Sequence, residues 1–206
     1  MSHSPPLLGS AWALGISPAG LCRALARPLR LLQRAAATVR FWLMRYGLTV
    51  LSGHDGSSSR WGATVLKVVD GDTIDIRDDV RGRLRMRVLG IDTPETKKPG
   101  YTVGCWGPEA TEFAQSTMVG QRVAFVPDPT QDQTDRYCRT LAYLIRVDGW
   151  DYSVEAARAG AAKSYVYEGN PVAGNDAIVA AEREAREAQR GLWGPPCHGE
   201  TESVPR

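Results

Sequence analysis

Short segments rich in β-branched residues dominate the chain after residue 60, and they constrain its fold more than any other feature. Three of them come in succession, one helix pattern interrupts them, and two more follow, over residues 63–69, 73–76, 84–91, 122–126 and 141–147. Such segments, bounded by glycine turns, predict strands. They do not alternate with the crossover helices that a parallel sheet requires. The sequence therefore predicts a mainly β, α+β domain with a five-stranded Greek-key barrel of the OB type.

Three helix patterns accompany these strands. The first begins at Pro108, a residue tolerated in the first turn of a helix, and ends at Gly120. The other two cover residues 154–159 and 177–190, and each is followed by a glycine. The predicted order is three strands, a helix, two strands and two helices.

The charge is unevenly distributed along the chain. Residues 1–54 hold six arginines and no acidic residue. Of the 25 basic and 23 acidic residues, 19 and 23 therefore remain after residue 54, which gives this part a formal charge of −4. Bulk charge does not indicate a nucleic-acid partner for the predicted barrel, so local sites must provide that evidence.

Residues 21–43 show leucines at steps of three and four, with arginines following the same rhythm on another face. This pattern predicts a basic amphipathic helix. A membrane-surface or targeting segment, a secretory signal, and sequence upstream of a true start at Met44 remain alternatives. Contact of residues 21–45 with a membrane surface would favour a secreted or membrane-associated protein over a cytoplasmic one.

A Gly/Ser-rich stretch over residues 52–60 predicts a linker. We therefore divide the chain into a basic extension with linker (1–60), the barrel domain (61–195) and a C-terminal tail (196–206). The four cysteines, Cys22, Cys105, Cys138 and Cys197, form no metal-binding spacing. At most one disulfide is expected among the last three.

Three segments carry residues suited to phosphodiester chemistry, which needs a positioned cation, a base and cationic phosphate ligands. They are VDGDT (69–73), RMRVLGIDTPE (85–95) and TDRYCRTLAY (134–143). The first places two carboxylates at a turn, and oxygen-rich turns suit hard cations. Taken singly, each segment is also explained by an ordinary hairpin turn, a barrel-surface arginine or a solvated loop.

Taken together and in this order, the three segments resemble the staphylococcal nuclease family. The resemblance extends to WGPEA (106–110), YVY (165–167) and GLW (191–193), and it covers about residues 63–193. It implies that Asp72 and Asp92 bind Ca²⁺ through carboxylates and Thr93 through its backbone carbonyl. It also implies Glu95 as general base and Arg87 and Arg139 as the phosphate clamp.

The same resemblance implies that Arg136, Tyr137, Tyr165 and Tyr167 line a nucleotide-binding groove. The expected substrates are single-stranded or locally opened DNA and RNA, with 3′-phosphate products, no obligate protein partner and a monomeric enzyme. Tyr143 is expected in the core.

One departure from the family pattern is Cys138, which stands where family members usually carry glycine. A residue with a Cβ at positive φ would cost about 1 kcal/mol or more. A disulfide between Cys105 and Cys138 could offset this cost, although the sequence does not place the two within bridging distance.

A second hypothesis is a non-catalytic, nuclease-like module that binds nucleic acid or protein. Such a module should have lost at least one catalytic or metal-binding residue. Asp72, Arg87, Asp92, Glu95 and Arg139 are all present, which favours the enzyme.

Overall fold

The computed structural model describes residues 62–206, and the basic extension predicted at the N-terminus lies outside the described residues. The strands are β1 (Ala63–Asp70), β2 (Thr73–Asp78), β3 (Gly82–Val88), β4 (Ile91–Asp92), β5 (Arg122–Val126), β6 (Thr140–Arg146) and β7 (Lys163–Ser164). The α-helices are α1 (Gly107–Met118), α2 (Tyr152–Arg158) and α3 (Asn175–Glu187), and a 3₁₀ turn follows at Gly191–Trp193. Five strands close a barrel in the order β1-β2-β3-β6-β5, which confirms the predicted architecture.

Alternation of side chains along the strands separates the barrel interior from its outer surface. On β2 and β3 the fully buried residues include Ile74, Ile76 and Met86, whereas the arginines between the buried positions of β3 point outwards. A period of two is what a strand with one buried face requires. The β3 strand pairs antiparallel with β2 and parallel with β6, so its outward residues lie beside both neighbours.

The strand predicted over residues 84–91 is interrupted, and this part of the prediction was wrong. The β3 strand ends at Val88, a turn follows, and β4 begins at Ile91 and pairs with β7. Gly90 adopts φ 77° in this turn, and an added Cβ would lie 2.5 Å from the Ile178 side chain. The continuous apolar run conceals the break because the turn itself is buried against α3.

The helices cover the barrel with small or apolar residues. The α1 helix buries Ala110, Ala114 and Met118 at helical spacing, and α3 buries Ile178, Ala181 and Ala185. Pro108 lies in the first turn of α1, as predicted. None of the helices between residues 62 and 206 has the length and apolarity needed to span a lipid bilayer.

A disulfide joins Cys105 to Cys197, with a Cα–Cα distance of 5.8 Å. The pairing of Cys105 with Cys138 considered from the sequence is therefore wrong. The bridge ties the start of α1 to the C-terminal tail, and the Thr102 amide then donates to the Val204 carbonyl at 2.8 Å. Sequence reasoning missed this pairing because the two cysteines are separated by 92 positions.

Asp128, just after β5, ties the barrel to the segment that precedes α3. Its carboxylate accepts hydrogen bonds from Thr130, from the Tyr143 hydroxyl at 2.7 Å and from the Ala173 amide at 2.7 Å. Burial raises the pKa of Asp128, but these hydrogen bonds outweigh it and lower the pKa to about 2. Tyr143 therefore supports the fold, as predicted.

Asp128→Asn should lower the free energy of unfolding at neutral pH by roughly 2 kcal/mol, because the charged acceptor is lost. The native pKa of about 2 lies below the ordinary value of 3.8. The stabilisation that the charged Asp128 provides is thus complete above about pH 4, and it disappears as the pH falls towards 2. Urea unfolding at pH 7, 4 and 2.5 measures it. An equal loss of stability at all three pH values would contradict this role for the charge.

Candidate active site

The site is assembled at one end of β3, where Arg87 faces the β1–β2 turn and β4. The Arg87 guanidinium forms an ion pair with Asp72 and a 2.8 Å hydrogen bond with Asp92. Only 14% of its side chain is exposed. Burial lowers the pKa of Arg87, but the two carboxylates outweigh this effect and raise it, so the guanidinium remains charged. Arg87, predicted to bind phosphate, therefore connects Asp72 and Asp92, which are predicted to bind the metal.

A second arginine, immediately before β6, reaches the same cluster. Arg139 donates to Asp135 at 2.6 Å through Nε and to Thr73 Oγ1 at 3.1 Å through Nη1. Thr73 in turn donates to Asp72 Oδ1 at 3.0 Å. A continuous chain of polar contacts therefore runs from Arg139 to Asp92 and includes both arginines of the predicted clamp.

Asp72 and Thr93 are buried together where the DGDT turn (70–73) meets the DTPE loop (92–95). The Thr93 amide donates to Asp72 Oδ2 at 3.2 Å, and the buried Thr93 hydroxyl has no protein hydrogen-bond partner. Gly71 packs directly against this threonine, and a Cβ added at Gly71 would lie 2.8 Å from the Thr93 side chain. A glycine is therefore required for the close approach of the DGDT turn to the DTPE loop.

Asp92 lies at the edge of this cluster, with 53% of its side chain exposed. The pKa of Asp92 is raised, first by desolvation and then by the neighbouring carboxylate of Asp72, while the charge of Arg87 lowers it in part. Solvent at the exposed half of the side chain screens these charges. The exposed oxygen gives an incoming ligand access to the pair of carboxylates.

Glu95 lies farther along the loop, three residues after Asp92. Its carboxylate accepts the Lys97 amide at 2.8 Å, and its carbonyl accepts the Gly104 amide at 2.8 Å. The side chain is partly exposed. The loop thus holds Glu95 at the rim of the cluster, where its free carboxylate oxygen can bind water.

Asp70 is a supporting residue that sequence reasoning did not assign to the site. Its carboxylate accepts hydrogen bonds from the Gly71 amide, from Thr96 at 3.1 Å and from Thr111 at 3.4 Å. Burial raises the pKa of Asp70, and the charges of Asp72 and Glu95 add to this effect. In the sequence, only its position as the first acidic residue of DGDT could have indicated this supporting role. The carboxylate ties the turn to the DTPE loop and to α1.

Two tyrosines predicted for the groove follow β7. The Tyr165 amide donates to the Gly90 carbonyl at 2.9 Å, and the Tyr165 ring lies 5.9 Å from the Arg87 guanidinium carbon. Tyr165 is 41% exposed and Tyr167 is 56% exposed. The pairing of β7 with β4 therefore places the Tyr165 ring beside Arg87.

Residues Arg136–Cys138 hold the other two residues predicted for the groove, Arg136 and Tyr137. The Arg136 guanidinium lies 4.8 Å from the Tyr137 ring centroid, and Tyr137 is 64% exposed. Cys138 adopts φ 61°. The positive φ considered from the sequence is therefore present at this position.

Comparison with known proteins agrees with the fold. The family described as staphylococcal nuclease homologue matches residues 85–195. A thermonuclease from Staphylococcus intermedius is 36% identical over 129 residues, which cover 63% of this chain and 74% of that protein. A protein from Escherichia coli O157:H7, named as an uncharacterized endonuclease, is 38% identical over 130 residues, with 63% and 74% coverage.

These matches define a nuclease, a hydrolase of phosphodiester bonds. The chain belongs to the staphylococcal nuclease homologue family.

Gly71→Ala should lower kcat on single-stranded DNA by about tenfold or more, since a misplacement near 1 Å at an active site has effects of this size. The added methyl group must displace Thr93, and with it the backbone next to Asp92. Gly62→Ala is the matched control, because a Cβ at Gly62 meets nothing within 4 Å. Equal kcat values for the two folded variants would contradict the packing argument.

Proposed function

We propose that this nuclease is a Ca²⁺-dependent endonuclease that hydrolyses DNA and RNA with little sequence preference and leaves 3′-phosphate products. The observation that carries the proposal is the polar chain from Arg139 through Thr73, Asp72 and Arg87 to Asp92. It places two guanidiniums beside two carboxylates. This combination can hold a phosphate and a cation together.

The donor set fits a hard cation. Asp72, Asp92 and the Thr93 carbonyl would provide oxygen ligands, and Glu95 would act through water. No cluster of three or more His, Cys, Asp or Glu side chains suited to a metal occurs within residues 62–206. Water and substrate oxygens would complete the shell. The buried Thr93 hydroxyl has no protein hydrogen-bond partner, which supports the binding of a further polar ligand at this point. When bound, Ca²⁺ would supply charge stabilisation at the phosphate.

Arg87 and Arg139 would bind the scissile phosphate. A guanidinium presents two parallel donors to a phosphate, and it stabilises charge that grows in the transition state. Both side chains are largely buried and held by carboxylates, Arg87 by Asp72 and Asp92, and Arg139 by Asp135. Substrate therefore meets donors that are already oriented and need little ordering.

Glu95 would accept a proton from the attacking water. A carboxylate at the rim of the cluster can reach solvent, and the backbone hydrogen bonds of its loop fix the position of its Cα. General-base assistance of this kind contributes about 10² to 10⁴ in rate. Removal of the carboxylate should therefore lower turnover without abolishing phosphate binding.

Tyr165 and Tyr167, and separately Arg136 and Tyr137, would contact the nucleotide. The exposed tyrosine rings can stack on any base, because every base has a π face. Contacts to phosphate and to a base face carry little sequence information. Stacking also needs an unpaired base, which favours single-stranded or locally opened DNA and RNA as substrates.

We further propose that the enzyme is a monomer without an obligate protein partner, and that it is secreted or membrane-associated. The Cys105–Cys197 bridge supports an oxidising compartment. Residues 21–45, which would contact a membrane surface, lie outside the described residues. The alternative of a non-catalytic module is not favoured, since Asp72, Arg87 and Arg139 form one network.

Chelation should abolish activity, because only oxygen ligands hold the cation and they bind it reversibly. We expect hydrolysis of denatured DNA to stop in excess chelator and to return on addition of Ca²⁺. Isothermal titration of the protein with CaCl₂ should show one site, weakened in Asp72→Asn. Hydrolysis at full rate in excess chelator would exclude a metal-dependent mechanism.

Substitutions should separate catalysis from binding. Glu95→Gln should reduce kcat by about 10² or more through loss of the base. Arg87→Lys and Arg139→Lys keep the charge but lose the paired donors, so kcat should fall more than KM rises. Tyr137→Ala should instead raise KM and leave kcat nearly unchanged, because stacking is lost in the ground and transition states alike.

Steady-state kinetics on single-stranded DNA, with folding checked by circular dichroism, measures these effects. Near-wild-type kcat in all three folded variants of Glu95, Arg87 and Arg139 would contradict the catalytic assignment and favour the binding module.

A further inference from the structure

The outer face of β1, β2 and β3 carries cations that the proposed mechanism does not use. Residues directly opposite on neighbouring strands project to the same side of a sheet. Lys67 is opposite Asp75, and Asp75 is opposite Arg85. In the next row, Arg77 is opposite Arg83. The four cationic residues lie together on one surface.

A buried carboxylate orients two of these cations. Asp75 is 1% exposed, and it binds Arg83 at 2.5 Å and Arg85 at 2.8 and 3.2 Å. The two arginine side chains are nevertheless 62% and 52% exposed. A guanidinium has five N–H donors, so donors remain available to a ligand on the solvent side. These hydrogen bonds also lower the pKa of Asp75, which keeps it charged.

The local charge is opposite to that of the surrounding chain. Lys67, Arg77, Arg83 and Arg85 surround one carboxylate, whereas residues 55–206 carry a formal charge of −4. Lys67 and Arg77 are exposed. A cationic surface on an acidic body attracts polyanions locally and repels them elsewhere.

The cationic surface leads directly to the active site. Arg83, Arg85 and Arg87 occupy alternate positions of β3, and alternate residues of a strand are about 6.7 Å apart on one face. This step is comparable with the distance between successive phosphates of an extended single strand. Arg87 belongs to the catalytic network, so a strand bound there can continue along the other two arginines.

We propose that Lys67, Arg77, Arg83 and Arg85 form a basic face that binds the phosphate backbone of a single-stranded polynucleotide beyond the scissile bond. The face of strands 2 and 3 is also the surface that OB barrels use for oligonucleotides. The inference rests on the proposed function and extends it: the enzyme prefers long single strands over short oligonucleotides because only long ones cover both surfaces.

The experiment uses the full chain and two substrates, a fluorogenic dinucleotide and a 20-nucleotide single-stranded DNA. The first variant, Lys67→Gln with Arg77→Gln, leaves the Asp75 ion pairs intact. The second, Arg83→Gln with Arg85→Gln and Asp75→Asn, removes these ion pairs as a set. The matched control, Arg183→Gln with Arg190→Gln, removes two exposed charges from α3 and the segment after it.

Each lost phosphate contact should weaken binding of the 20-mer about fivefold at 0.1 M salt and should lower the salt slope by about 0.7. Fluorescence anisotropy in excess chelator measures this binding without cleavage. For the first two variants, KM for the 20-mer should rise in parallel, while kcat and all dinucleotide kinetics stay unchanged. The control should match wild type.

Unchanged binding of the 20-mer in both variants, or an equal loss in the control, would overturn the basic face. So would an equal rise in KM for the dinucleotide, since that substrate cannot reach the face. Failure of the proposed function has a different signature, because the wild-type enzyme would then cleave neither substrate while anisotropy still reported the binding difference.

Discussion

The buried ion pairs of Arg87 determine the arrangement of the whole site. A guanidinium with 14% exposure is stable only when carboxylates compensate for its lost hydration. Asp72 supplies that compensation from the β1–β2 turn and Asp92 from β4. The arginine therefore fixes the distance between the two carboxylates.

Several contacts then hold the DGDT turn and the turn after β3 against the barrel. The Tyr152 hydroxyl donates to the Gly71 carbonyl from the interior, and Ser153 donates to the Leu89 carbonyl at 2.8 Å. Asp70 ties the same turn to the DTPE loop. Hydrogen bonds from α2 and α1 thus hold the DGDT turn and the turn after β3, in addition to the strands that precede them. This support explains why a site made of loops can keep its geometry before substrate binds.

Electrostatic organisation resolves the apparent conflict between an acidic body and a polyanionic substrate. Most acidic residues of the site face arginines, so the cluster is not simply negative. Arg83 and Arg85 share a single buried aspartate on the adjoining surface, which leaves positive charge towards solvent. Net charge alone would have misjudged this protein, because binding depends on the field within a Debye length.

The five barrel strands and the three helices could be predicted from the amino-acid sequence, because side-chain alternation and helical spacing are local patterns. The nearness of Asp72, Asp92 and Arg139 to Arg87 was instead expected from the resemblance to the staphylococcal nuclease family, and the polar contacts of the structure show it. The break at Gly90, the pairing of Cys105 with Cys197, the supporting role of Asp70 and the assembly of the basic face became visible in the folded chain alone. Each of these depends on which distant segments become neighbours when the barrel closes, and local patterns do not encode that proximity.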